Sequence, residues 1–600
     1  MTSHYCDIQN SDVIMACGSN NAENHPVTMR WVQDSKDRQD CKYIVVDPRF
    51  TRSASLADIY APLRSGTDIA FYGGMMKYII ENELWHKDYV LNYTNASYLV
   101  NPDFKFDDAT GLFSGWDDTK KAYDTKKGGW AYQVAEEKPW DIAGPMAWTQ
   151  APGVPKFTPL VEKVAKKDPT LQDPNCVFQL LKKHYERYDM DTVSRITGMP
   201  KDKLEEVYAA FSATGAPDKT ASIFYALGQT QHHYGTQNIR AMAILQMLLG
   251  NLGVAGGGIN ALRGEANVQG STDMAVLWGN LPGYLNKPVA AKHPTIAKWI
   301  ETETTAGGYY TNKPKFFISL LKEWYGPYAT FENDYAYDLI PKLGAKNYST
   351  TMTFEKMNEG EIKGYFLFGQ NPCNSAANTK FVRNAMAKLD WLVSVDLYEH
   401  ESAAFFKAPD LNAADIKTEV YQLPAACHYE KPGSISNSGR WIQWRYEAVK
   451  PQGEALADMK ILTKLALKLQ ELYEAEGGPA KEQITKLYWP YVDENGEGDI
   501  IRAAWAMNGY DVAATDFKAG KPKLLKNFTQ LKADGTTACC NWIYGGYFNN
   551  NDAPFDVSQQ PTASRIKDDP SGLALYPKWS FAWPVNRRII YNRASADING

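Results

Sequence analysis

Six hundred residues, 44% of them apolar, carry a formal net charge of −5. At roughly 100–200 residues per domain that is material for several buried cores, and with no long basic run it excludes a protein that holds nucleic acid on a cationic face. No apolar stretch reaches the roughly 20 residues of a membrane helix, and residues 1–20 lack the charged and apolar regions of a secretory signal. The eight cysteines are scattered, with no Cys-x-x-Cys for a zinc or iron–sulfur site, and read as small core residues.

In chain order the elements alternate between strand and helix. DVIMACG (12–18) reads as a strand, followed by SNNAENHP and a helical run to about Lys36. KYIVVDPR (42–49) leads into a Ser/Thr loop, and DIAFYGGMMKYII (68–80) has helical spacing. Residues 104–160 break the rhythm and read as a surface excursion; residues 283–315 read as a second. SIFYALG (222–228) precedes a long apolar helix through Leu249. GYFLFGQNP (364–372) and WLVSVDL (391–397) are further strands with a helix of about a dozen residues between them. Met459, Leu462, Leu465, Leu469 and Leu472 share one helical face, which predicts core packing. From about residue 495 the pattern turns irregular and aromatic. Strands alternating with helices predict an α/β fold whose mostly parallel sheets are covered on both faces and bind ligands at their carboxyl ends.

Those ends collect the polar residues. GSNNAENHP (18–26) and GQNPCNSAAN (369–378) each follow a strand and precede a helix, a seat suited to pyrophosphate or an ordinary loop. GQTQHHYG (228–235) follows the same design; His232 and His233 have no metal-ligand spacing, so local hydrogen bonding is the plain alternative. Asp47, followed by Pro48 and Arg49, ends one strand and Asp396 ends another. Such a carboxylate can accept both edge protons of guanine, although an aspartate there is also a good turn former. RSGTD (64–68) adds a cation, a hydroxyl and a second carboxylate.

The richest segment is GVAGGGINALRGEANVQGSTD (253–273). Its glycines allow a close approach of backbone to a ligand, and Arg263 beside them is suited to gripping a planar carboxylate through two parallel hydrogen bonds. Glu265, Asn267, Gln269, Ser271 and Thr272 complete a polar loop without a general base. The alternative is a glycine-rich turn with a surface arginine. CHYEKPGSISNSGRWIQW (427–444) reads as a loop and short strand, with Arg440 free to meet a phosphate or a domain interface.

Together GSNNAENHP, VVDPRFTRSASLADIYAPLRSGTDIAF, YALGQTQH, GGGINALRGEANVQGSTD, FGQNP, LPAACHYEKPGSISNSGRW and AWPVNRRIIYNRASADING resemble the catalytic subunit of molybdenum- or tungsten-dependent formate dehydrogenases. These belong to the bis-molybdopterin guanine dinucleotide (dimethyl sulfoxide reductase-like) superfamily, and the match runs in order from Met1 to Gly600. The resemblance implies two α/β/α domains with mostly parallel sheets: 1–265 for one pterin-guanine dinucleotide, with the excursion 104–160, and 266–430 for the other. Residues 431–600 would connect to a C-terminal β-barrel. It places Asn24, His25, Asp47, Arg49, Arg64, Gly66, Thr67, Asp68, Gly228, Thr230 and His232 around one nucleotide. Gly369, Asn371, Asp396, Glu401, Asn437, Gly439 and Arg440 fall around the other. Arg263 matches the arginine that orients formate, with Thr272 close by. Formate is then oxidised to carbon dioxide, its hydrogen leaving toward a metal-bound sulfido ligand as two electrons enter the metal.

The chain departs from that family at both ends. The N-terminal domain carrying a [4Fe–4S] cluster, the metal-ligating selenocysteine or cysteine with its histidine, and the C-terminal barrel have no counterpart here, so the sequence reads as an incomplete, isolated-inactive piece. The resemblance further implies an iron–sulfur partner subunit, in some members a membrane cytochrome, and a periplasmic location, with a cytoplasmic one the alternative, without nucleic acid or a membrane span of its own. A nitrate reductase-like oxidoreductase of the same superfamily, or a non-catalytic scaffold of the same fold, are the competing readings.

Overall fold

A computed structural model describes residues 1–124, 131–139, 161–276, 279–305, 309–439, 441–546 and 580–581. The chain opens with strand β1 (Val13–Cys17), helix α1 (Thr28–Gln39), β2 (Lys42–Val46), β3 (Ile59–Ala61) and α2 (Asp68–Glu81). After the hairpins and helices of residues 106–212 come β4 (Ala221–Tyr225), α3 (Gly235–Leu248) and β5 (Gly258–Ala261). These strands form one five-stranded parallel sheet in the order β5-β4-β1-β2-β3. Alternation along β1 explains how both faces are covered. Val13, Met15 and Cys17 pack with Phe71, Met75, Met242 and Leu245 on one side. Ile14 and Ala16 pack with Trp31, Val32 and Phe224 on the other.

The short helix α4 (Val268–Asp273) follows β5. Helix α5 (Lys313–Tyr325) comes next, and then a second parallel sheet of β6 (Gly364–Phe368), β7 (Trp391–Asp396) and β8 (Glu419–Pro424). The single helix expected between β6 and β7 is two pieces, Pro372–Ser375 and α6 (Thr379–Met386), because Ala376 adopts extended backbone. Strands β9 (Gly433–Ser436) and β10 (Trp441–Arg445) form an antiparallel pair, followed by α7 (Asp458–Glu476) and α8 (Ile500–Asn508).

Three expectations change. Among its described residues the supposed second excursion is core: Leu285, Ile296, Trp299 and Ile300 are buried with Phe316, Phe317, Trp505, Tyr510 and Trp542. The irregular segment beyond residue 495 supplies the other half of that cluster, with the Trp542 ring stacked on Phe316 at 4.4 Å between centroids. By contrast, the leucine face of α7 is not core: Leu462 and Leu472 are exposed, and Thr463 is its buried residue. The first excursion, over its described part, is a run of short hairpins with mostly exposed side chains. Six cysteines are buried, with Cys427 and Cys540 partly exposed. Among the described residues no helix is long and apolar enough to cross a membrane.

Candidate functional site at the strand ends

In the first sheet the chain builds outward from β1 to β2 and β3, then returns to the opposite side of β1 for β4 and β5. Loops leaving β1 and β4 therefore diverge, and the crevice between them is where such sheets bind ligands. The floor of that crevice is the contact of Gly18 with Gly228. Gly18 has φ +58, and a Cβ on Gly228 would lie 2.6 Å from the Gly18 Cα, so neither position admits a side chain. Beside this contact Ser19 Oγ and Gln229 Oε1 are buried without a hydrogen-bond partner among the described residues. Gln229 uses its amide nitrogen on the buried Asp68 carboxylate, 2.7 Å away. Ser19 and Gln229 are not legible in the sequence, since a serine or glutamine in a polar loop carries no signal until its neighbours are known.

Around that floor stand the other candidates. Asp47 ends β2, and its Oδ1 accepts the Arg49 N–H at 2.9 Å, a turn that Pro48 helps to set. Burial raises its carboxyl, opposed by the Arg49 hydrogen bond and charge and reinforced by Asp68. Arg64 is directed elsewhere, donating to the carbonyls of Arg195 and Ile196, while Thr67 closes its turn on the Arg64 carbonyl. Gly66, at φ +79, faces the His232 ring. No ring hydrogen bond of His232 or His233 occurs among the described residues; locally, the His232 carbonyl accepts the Gly235 N–H at 3.0 Å. Cys17 beneath Asp47 and Asp68 is a buried thiol pushed up to about 12, chiefly by desolvation, and is inert.

The loop after β5 meets this rim directly. His25 Nε2 donates to the Arg263 carbonyl at 2.7 Å, with Nδ1 against Asn24 Oδ1. Burial lowers the imidazole's proton affinity, and the bond to Arg263 partly restores it. The Arg263 N–H donates to Ser438 Oγ at 3.1 Å. The backbone of this half-buried residue is thus held from both sides, whereas its guanidinium makes no hydrogen bond or ion pair among the described residues. The guanidinium lies close enough to Tyr225 to oppose the rise that burial imposes on that phenol. The preceding glycines serve another purpose than the one expected of them. A Cβ on Gly256 would sit 2.3 Å from the Asn10 carbonyl, so this run packs against the chain's own backbone rather than a ligand. Thr272, half-buried on α4, donates its hydroxyl to the Val268 carbonyl at 2.8 Å.

The second sheet forms its own cluster. Asn371, after β6, donates to Glu401 and accepts from Ser402 Oγ at 2.8 Å. Asp396, ending β7, accepts from the Leu397 N–H at 2.7 Å and stands 3.3 Å from His400. Gly369 has φ +59 and open space where a Cβ would be. Gly439 packs instead against the His4 and Tyr5 rings beside the first sheet, and Ser436 donates its N–H to Asn267, so the 436–439 segment belongs to the Arg263 side. Asn437 lies in that same segment; Arg440 falls outside the described residues.

Large apolar side chains left in the open mark the same two rims. Val27, Phe50, Leu227 and Tyr234 are each at least 60% exposed around the first, and Tyr398 is 75% exposed on the second. Apolar groups beside unpaired acceptors, glycine-lined backbone and a strand-end carboxylate suit a flat, partly apolar, phosphate-bearing ligand with a hydrogen-bonding base. A molybdopterin cofactor fits that description. Among the described residues no group of three or more His, Cys, Asp or Glu side chains could hold a metal ion.

Residues 1–468 match the family model for molybdopterin oxidoreductases, and the chain belongs to that family. Its relatives include a formate dehydrogenase subunit alpha of Megalodesulfovibrio gigas, 44% identical, with 100% of this chain and 57% of that protein covered. The nitrate-inducible formate dehydrogenase major subunit of Escherichia coli strain K12 is 43% identical, with 100% and 57% covered. Acetylene hydratase from Pelobacter acetylenicus aligns with a TM-score of 0.40 at 18% identity, over 80% of this chain and 51% of that one. The chain spans 57% of the length of the two formate dehydrogenase subunits.

Proposed function

We propose that this chain is the pterin-binding and substrate-binding part of a formate dehydrogenase catalytic subunit. The observation that carries the proposal is Arg263: its backbone is fixed by His25 and Ser438, while its guanidinium remains uncommitted. A half-buried planar cation held this way is suited to a small carboxylate, which it can grip through two parallel charge-assisted bonds. Thr272 would turn its hydroxyl from the Val268 carbonyl to the same anion.

Two lobes, 1–265 and 266–430, would each take one pterin-guanine dinucleotide. In the first, Gly18 and Gly228 let a pyrophosphate approach, the unpartnered Ser19 hydroxyl donates to it, the free Gln229 Oε1 accepts an N–H or O–H of the ligand, and Asp47 accepts the guanine edge. In the second, Asp396 accepts the guanine edge beside Asn371 and Glu401. When bound, a pterin-held molybdenum or tungsten supplies a two-electron acceptor. Arg263 and Thr272 would hold formate beside it, and oxidation of formate would release carbon dioxide, a proton and two electrons. An iron–sulfur partner subunit and a periplasmic setting follow the resemblance.

The test is metal and nucleotide analysis of the complete enzyme containing this chain, with formate-dependent dye reduction. Molybdenum or tungsten, guanine nucleotide and formate oxidation together support the reading. A loaded enzyme that reduces nitrate and leaves formate untouched overturns it.

A further inference from the structure

The segment bearing Arg263 and Thr272 is held at one end by an unusual anchor. Asp273, the last residue of α4, is completely buried. Its Oδ1 accepts the Tyr284 hydroxyl at 2.6 Å, and its Oδ2 accepts the Tyr544 hydroxyl at 3.1 Å. Its backbone carbonyl accepts Asn541 Nδ2 at 2.6 Å. A carboxylate withdrawn from water is costly unless its oxygens are hydrogen-bonded, and here both are.

The anchor is continuous with the bonds that hold the loop's other end. Tyr544 has one proton and gives it to Asp273, so its 3.3 Å contact with Ser436 Oγ is one in which the serine donates. The Ser436 N–H in turn donates to Oδ1 of Asn267, the residue that precedes α4 in left-handed backbone at φ 65. Ser438, in the same segment, holds the Arg263 N–H. Both ends of α4 and the backbone of Arg263 are therefore tied to one hydrogen-bonded frame. That frame is rooted in the aromatic core, because Trp542, two residues from Tyr544, donates to the Gly283 carbonyl at 2.8 Å and stacks on Phe316.

From this geometry we infer that Asp273, acting through Tyr544, is a positioning residue for formate: it sets where α4 carries Thr272 relative to the Arg263 guanidinium. The inference rests on the formate dehydrogenase reading above. Apolar packing would bury α4 equally well, but directional bonds to a charged acceptor fix its rotation and translation. A displaced Thr272 hydroxyl holds the bound anion less tightly, a loss read as a higher KM with little change in kcat.

The test uses the complete, cofactor-loaded enzyme with Tyr544→Phe, Asp273→Asn and the double substitution. Tyr544→Phe keeps the ring packed and removes only the hydroxyl, so it stays informative if Asp273→Asn fails to fold. Positioning should raise KM for formate about tenfold in Tyr544→Phe, with kcat within about threefold and metal and nucleotide content unchanged. Where Asp273→Asn folds, the double variant should be no worse than that variant, because the two groups act as one unit. A lowered melting temperature with an unchanged KM overturns the inference and leaves Asp273 a purely structural anchor. A wild-type enzyme that is loaded but inactive on formate overturns the functional reading itself, and the inference with it.

Discussion

The two strand-end rims differ in how much of their geometry is already built. On the first, backbone and side chains are locked before any ligand arrives. Gly18 presses on Gly228, His25 holds Arg263, and buried hydrogen bonds fix α4. On the second, Gly369 faces open space, Tyr398 stands in solvent, Asp396 is bonded to its own loop, and Glu401 is exposed and tied to Asn371 of the neighbouring loop. The contrast suggests a division of labour. Orientation of a reacting group needs a rigid frame, because misplacement weakens catalysis, whereas a remote nucleotide end needs only complementary contacts.

The sharpest way to break this comparison is at Arg263. Arg263→Lys in the complete enzyme keeps the charge and loses the fork. Removing one charge-assisted bond should lower kcat/KM for formate by about 10–100-fold, read by steady-state kinetics normalised to metal content. Near-normal kinetics would show that the rigid rim does not serve this substrate.

Next are the glycines. Gly228→Ala forces a Cβ into the backbone of Gly18 and should destabilise the fold by about 1–3 kcal/mol, with cofactor content falling in parallel. Gly369→Ala meets no neighbour and bears only the strain of its positive φ, about 1 kcal/mol. Thermal unfolding of both variants ranks them; the reverse order would contradict the picture of one packed rim and one open rim.

The smallest expected effects concern pH. Burial holds the Glu323 carboxyl in the aromatic core up to about 7, against the opposing Tyr491 and Tyr510 hydrogen bonds. The folded protein therefore keeps a proton that the unfolded chain releases near the ordinary value of 4.5, and stability falls as pH rises from there toward 7. Desolvation holds His4, beside the first sheet, down to about 3, so stability falls as pH drops below 6.5. The two slopes oppose each other between 4.5 and 6.5, so denaturant titrations across pH 4–8 should show Glu323→Gln exposing a loss of stability below 6.5, at most ~1.4 kcal/mol per pH unit, that the native protein offsets.

Much of this was legible in the sequence, for definite reasons. Buried parallel strands such as MAC and YIVV are continuous apolar runs, and the polar loops after them mark the carboxyl ends. Short strands without such a run, β3 and β5, were not legible. Nor was the aromatic core, since Trp299 and Trp542 lie 243 residues apart in irregular sequence. The leucine stripe in α7 predicts a core face that the fold does not provide, because periodicity reports amphipathicity and not what covers the apolar face. The glycines before Arg263 were read as a ligand seat, yet Gly256 is required by the carbonyl of Asn10. Asp273 carried no signal at all: its meaning comes from Tyr284 and Tyr544, which sequence distance hides.

The most direct measurement is the structure of the complete, loaded enzyme with formate bound. Both formate oxygens should lie within about 3 Å of the Arg263 guanidinium, as charged parallel bonds require. Formate bound elsewhere, with that guanidinium turned to solvent or paired to another side chain, would contradict the account.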